Sequence, residues 1–148
     1  MEGRASEVAR RRVSTGHPAA RIVLGMIAGA VATAATIGVV DQLGSLLYPL
    51  PPEAGLTTVV AADRAVTTMP FPGRLIVIAG WALAAFVGGA VAAWIVGRRW
   101  AVWPMAVLVV SSVATLTAGL THPTWLILVG LLVPWPCAAA AMRFARHP

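Results

Sequence analysis

The fold of this chain is decided by residues 75–97, which read LIVIAGWALAAFVGGAVAAWIVG. These residues carry no charge, and an arginine stands on either side of them, at Arg74 and at Arg98. A helix rises about 1.5 Å per residue, so about 20 apolar residues cross a hydrocarbon core of roughly 30 Å. The stretch therefore predicts a helix that spans a membrane.

Three more apolar stretches of similar length occupy residues 22–48, 101–120 and 125–142. The four stretches together contain one charged residue, Asp41, although the chain has 11 basic and 5 acidic residues. Only 11% of the residues are charged, against about a quarter in soluble domains. This distribution excludes an ordinary soluble fold. It predicts an all-α integral membrane protein, an antiparallel four-helix bundle with one membrane domain at 22–148 and an outer loop at 49–74.

The arginines indicate how the bundle is oriented in the membrane. Nine of the 11 basic residues lie in the N-terminal tail 1–21, in the turn between the second and third spans, and after the fourth span. Only Arg64 and Arg74 lie in the predicted outer loop. The positive-inside rule then places both termini in the cytoplasm and the protein, multi-pass, in the inner membrane. The net charge of +6 is explained by the arginines that orient the spans and are attracted to anionic lipid of the bilayer. We therefore expect no nucleic-acid partner.

Small residues recur every four positions in the first two spans, where they predict close helix packing. We interpret them as contacts inside the bundle. A further hypothesis is that one of two adjacent rows in the second span faces another subunit, which would make a homo-oligomer. The rows comprise Gly25, Gly29 and Thr33; Ala84, Gly88 and Ala92; and Ala85, Gly89, Ala93 and Gly97.

Asp41 is the only ionisable residue in any predicted span, and a charge in hydrocarbon is costly unless it is paired, hydrated or protonated. One hypothesis is a proton or cation site that opens outward. The alternative is a structural carboxylate that accepts hydrogen bonds near the interface. Ser45 lies one turn away on the same helix face and Gln42 is adjacent, whereas counting residues from the outer ends of the spans places Trp81 and Thr115 at a similar depth. With the histidine of the outer turn between the third and fourth spans, the candidate site comprises Asp41, Gln42, Ser45, Trp81, Thr115 and His122.

Other features of the sequence argue against catalysis. No metal-binding or nucleophile motif is present, and the three histidines are far apart in the sequence, so we expect no enzyme, no cofactor and no metal. Cys137 is the single cysteine and has no partner for a disulfide within one chain. In the fourth span, Pro134 and Pro136 remove backbone donors and predict a kink.

Three segments carry a resemblance: DQLGSLLYP at 41–49, GWALAAFVGG at 80–89 and HPTW at 122–125. In this order they resemble an uncharacterised family of small four-helix bacterial membrane proteins, over residues 22–142. The resemblance implies the four-span topology and a bacterial origin, and it implies no reaction. We therefore expect a non-enzymatic accessory or assembly protein that acts through helix contacts. The alternative is a small oligomeric transporter or channel-like protein that uses Asp41.

Overall fold

A computed structural model describes residues 18–49, 68–118 and 123–144, and within these ranges the regular structure is entirely helical. A 3-10 turn, Arg99–Val102, precedes the third long helix. The all-helical prediction is confirmed. The helices are α1 (Pro18–Leu47), α2 (Phe71–Val96), α3 (Trp103–Ala118), α4 (Thr124–Leu132) and α5 (Pro134–Phe144).

Four segments of these helices are long and apolar enough to cross a membrane, as the sequence predicts. They are Pro18–Leu47, Phe71–Val96, Arg99–Leu116 and Thr124–Phe144. The first two helices begin about four residues earlier than the apolar stretches do, because proline suits the first turn of a helix. Arg21 and Arg74 are therefore helical residues. Most of the predicted outer loop, and His122, lie outside the described residues.

The helix α2 is the centre of the fold and packs against every other helix, whereas α1 packs chiefly on α2. The contacts between α1 and α2 come in reverse chain order. Gly25 lies against Val96, and Gly44 near the other end of α1 lies against Ile76. The two helices therefore run in opposite directions.

Gly97 ends α2 and turns the chain toward α3. Its φ of 72° is a left-handed conformation that residues with a side chain rarely adopt, and its N–H donates to the carbonyl of Ala93 at 2.8 Å. The 3-10 turn follows, and its buried residues Ala101 and Val102 pack in a core with α2 and α5. This sharp reversal holds α3 beside α2.

The fourth span is interrupted at Val133, between α4 and α5, as the two prolines predict. Gly130 of α4 lies against Trp81, and the ring of Phe144 in α5 packs edge-on against Phe86 at 5.4 Å. Ala138 and Ala141 of α5 are buried in one core with Ala93 and Val96 of α2, so the second half of this span packs against the C-terminal half of α2.

Candidate functional site

Asp41 borders a small cavity between the C-terminal end of α1 and the N-terminal end of α2. The cavity has a volume of about 120 Å³ and is partly open to the outside. It has mostly apolar walls with a carboxylate and two hydroxyl groups. The lining residues are Val40, Asp41, Gly44, Ser45, Tyr48, Met69, Gly73, Ile76 and Val77.

The space between the helices depends on glycine. A Cβ atom on Gly73 would lie 2.7 Å from Cγ of Met69 and 3.6 Å from the ring of Tyr48, so the missing side chain admits both neighbours. On the other side of the cavity, a Cβ on Gly44 would lie at an ordinary contact distance of 3.8 Å from Ile76, so that position does not require glycine. The missing side chain of Gly73 lets Met69 and the phenol ring of Tyr48 come together beside Asp41.

The charge of this cavity can attract a cation or a proton. Asp41 is exposed at the edge of the cavity. The residues of the described chain that line the cavity include no lysine or arginine to neutralise this carboxylate. The ring of Tyr48 adds a surface that attracts cations when they lie over its face.

The structure brings together only some of the residues that the sequence assigned to this site. Ser45 lines the cavity with Asp41, and its hydroxyl donates to the backbone carbonyl of Gln42 at 2.8 Å. The side chain of Gln42 is exposed. Tyr48 was missed, although it lies seven residues after Asp41 and therefore on nearly the same helix face.

Trp81 and Thr115 do not line the cavity, so the depth argument did not identify neighbours of Asp41. Trp81 is buried in a core with Val113, and its ring lies 2.5 Å from the position that a Cβ on Gly130 would take. The hydroxyl of Thr115 is exposed and donates to the carbonyl of Ser111 at 2.8 Å within its own helix. Equal depth does not imply contact, because helices present different faces to one another.

The interface between α1 and α2 is built from the small residues that the sequence predicts. A Cβ on Gly29 would lie 2.8 Å from Cβ of Ala92 and 2.9 Å from the carbonyl oxygen of Gly88. Thr33 is buried, with 2% of its surface exposed, and its hydroxyl donates to the carbonyl of Gly29 at 2.9 Å. Glycine permits this close backbone approach, which is a main source of helix association in lipid.

Both small-residue rows of α2 are buried within the chain from Ala84 to Ala93, and Gly97 at the end of the second row is exposed. The buried rows contact neighbours in the same chain, and a homo-oligomer stays a prediction. The row with Gly88 contacts α1. The row with Gly89 contacts the 3-10 turn, where a Cβ on Gly89 would lie 3.3 Å from Cβ of Val102. The central position of α2 explains this result, because neighbours within the chain cover it on both sides.

The exposed face of α1 carries a different set of small and polar residues. Ala34, Gly38, Gln42 and Ser45 are all exposed and lie within about 80° of one another around the helix. No atom of another part of the described chain lies within 4 Å of the position that a Cβ on Gly38 would take. We call these four residues the outer face of α1.

The four helices that can span a membrane indicate a multi-pass membrane protein. Comparison of the chain with protein-family models, curated proteins and solved structures found no match. Two features of the described surface bear on the predicted functions: the cavity beside Asp41 and the outer face of α1.

Proposed function

We propose that this chain is a bacterial inner-membrane protein with both termini in the cytoplasm, and that it is a non-enzymatic accessory or assembly protein. It would bind another membrane protein through the outer face of α1. The observation that carries this proposal is the exposure of Gly38 and Gln42 on a helix that only one side of the bundle covers.

The composition of the outer face favours a helix partner over lipid. Lipid tails cover leucine and valine at no disadvantage, and such residues are exposed in the N-terminal part of α1, including Leu24 with 62% of its surface exposed. Glycine and alanine allow close backbone approach, and the amide of Gln42 gains from a hydrogen bond across helices. Only 17% of the most apolar 18-residue window of α1 is buried, against 39% for α2. Much of α1 is therefore available to a partner.

Site-specific crosslinking tests this proposal in living membranes. A photo-reactive residue at Gly38 should give a discrete crosslinked product, because a partner helix would lie within reach. The matched control is the same residue at Val107, an exposed apolar position of α3. A product of two copies of this chain would identify the partner as itself. Equal labelling at both positions, or lipid adducts alone, would contradict the proposal.

The cavity beside Asp41 favours a second candidate function, a small oligomeric transporter or channel-like protein for protons or cations. A carboxylate within a spanning helix, next to a partly open cavity, is the arrangement such a site needs. The chain would have to oligomerise for a complete pathway. This candidate requires that the charge of Asp41 be functional.

Replacement of Asp41 separates the two candidates. In a transporter, Asp41→Asn should abolish cation-dependent or proton-dependent flux in proteoliposomes, because an amide neither titrates nor carries charge. The matched control is Thr115→Val, which removes a polar group away from the cavity. Inserted protein is quantified in the same vesicles. Unchanged flux in Asp41→Asn, or no flux in the unmodified protein, would leave only the accessory function.

A further inference from the structure

At the opposite end of α1 from Asp41, an arginine caps a neighbouring helix. The Nε–H of Arg21 donates to the backbone carbonyl of Ile95 at 2.6 Å. The last four carbonyls of a helix have no partner within it, and Ile95 is one of these at the end of α2. This hydrogen bond joins the start of α1 to the end of α2 and holds the guanidinium group in one orientation.

A shallow pocket lies beside this guanidinium group. Its volume is about 490 Å³, and its lining residues are Arg21, Trp94, Ile95 and Gly97. A Cβ on Gly97 would lie 3.2 Å from Nη2 of Arg21, so the absence of a side chain there leaves room for the guanidinium group. The Nε–H of Arg21 already donates to the carbonyl of Ile95, so the N–H groups of the two terminal nitrogens are the remaining donors for a ligand.

The electrostatic surroundings of the pocket favour an anion. Arg98 and Arg99 follow Gly97 directly and are both exposed. The single acidic residue in the described ranges, Asp41, stands 20 residues away in the same helix, about 30 Å along its axis. No described carboxylate therefore competes with an anionic ligand for Arg21.

The indole of Trp94 indicates that the anion belongs to a lipid. Trp94 borders the pocket with 63% of its surface exposed, near the end of a spanning helix. Tryptophan at such positions lies at the level of lipid headgroups. Guanidinium groups bind phosphate through paired, charge-assisted hydrogen bonds. A headgroup phosphate beside Arg21 would place its acyl chains along the exposed apolar surface of the bundle.

We propose that Arg21, Trp94 and Gly97 form a binding site for the phosphate of an anionic phospholipid. The site is separate from the outer face of α1 and from the cavity at Asp41, and it does not depend on either proposed function. Arg21 orients and binds the phosphate, Trp94 packs on the glycerol region, and the missing side chain of Gly97 keeps the guanidinium group accessible.

Lipid binding to the purified full-length protein tests this proposal. Native mass spectrometry counts phosphatidylglycerol and phosphatidylcholine molecules retained by the unmodified protein and by Arg21→Gln. We expect retention of phosphatidylglycerol over phosphatidylcholine, and a loss of at least tenfold in phosphatidylglycerol affinity in Arg21→Gln. The matched control, Arg143→Gln, removes the same charge from an exposed position that does not line the pocket and should change affinity less than twofold.

Two further measurements test whether weaker lipid binding reflects unfolding of the variant, and whether the ligand is a lipid or a soluble phosphate compound. Trp94→Ala leaves the hydrogen bond of Arg21 in place and should weaken phosphatidylglycerol binding at least threefold, with an unchanged melting temperature in phosphatidylcholine. Competition with glycerol phosphate shows whether the bound phosphate group belongs to a lipid or to a soluble compound. Displacement at equal concentration would mean a soluble phosphate ligand and would overturn the lipid assignment. Equal affinity in Arg21→Gln and Arg143→Gln would overturn the site itself.

Discussion

The hydroxyl of Thr33 on α1 occupies the space that a side chain on Gly88 of α2 would need. The same hydroxyl donates to the carbonyl of Gly29 and lies 3.5 Å from the carbonyl of Ala84. The backbones are also close here, because a Cβ on Gly88 would lie 2.9 Å from the carbonyl oxygen of Gly29. Packing at this point depends on the missing side chain of Gly88.

Replacing Gly88 should destabilise the bundle more than replacing Gly89 or Gly38. In Gly88→Ala the new methyl group would overlap Thr33, so the free energy of unfolding in detergent should fall by about 1 to 3 kcal/mol, as overpacking generally does. Gly89→Ala should have a smaller effect, since its Cβ would lie 3.3 Å from Val102. Gly38→Ala is the control, because that position is open. Equal stability of the Gly88 and Gly38 variants would contradict the interface.

Shortening Thr33 should partly rescue the Gly88 variant. The double variant Thr33→Ala, Gly88→Ala removes the hydroxyl that overlaps the new methyl group, although Cβ of residue 33 would remain close, at 3.1 Å. A double-mutant cycle should therefore show a favourable coupling of about 0.5 to 2 kcal/mol. The measurement is chemical unfolding of all four proteins in one detergent. If the changes in unfolding free energy of the two single variants simply add, residues 33 and 88 are not in contact.

Gly130 should be equally sensitive, for a different reason. A Cβ there would lie 2.5 Å from the indole of Trp81 and 3.0 Å from Val113, so Gly130→Ala should displace a buried ring. We expect a loss of stability of about 1 to 3 kcal/mol and a red shift in tryptophan emission. The control is Gly44→Ala, whose nearest neighbour would be Ile76 at 3.8 Å. An unchanged spectrum in Gly130→Ala would contradict the packing of α4 on α2.

The orientation in the membrane should follow the arginines. A reporter enzyme that is active only in the cytoplasm should be active after Pro148, and a periplasmic reporter should be active near Gly55. Replacing Arg98 and Arg99 with glutamine should reduce this bias, whereas replacing Arg64, on the other side, should strengthen it. Cytoplasmic activity at Gly55 would invert the topology. Both fusions are compared at matched expression.

The site was less predictable from sequence than the spans. The neighbourhood of Asp41 and Ser45 followed from helical periodicity within α1, and Tyr48 lies on the same face. Met69 and Gly73 enter the cavity because α2 begins at Phe71 and lies against the end of α1. Trp81 was misplaced because residue counts give depth along the membrane normal and say nothing about which helix faces meet.

The sequence by itself determined four apolar spans, the interruption of the fourth span near Pro134 and the small residues that allow close packing. These properties depend on local hydropathy and backbone chemistry, which neighbouring residues set within one helix. Only the tertiary structure decided that α2 is central, that both of its small-residue rows are covered from Ala84 to Ala93, and that Arg21 reaches Ile95. Pairing of helix faces depends on contacts between residues far apart in the chain, and many pairings of apolar helices satisfy the same hydropathy.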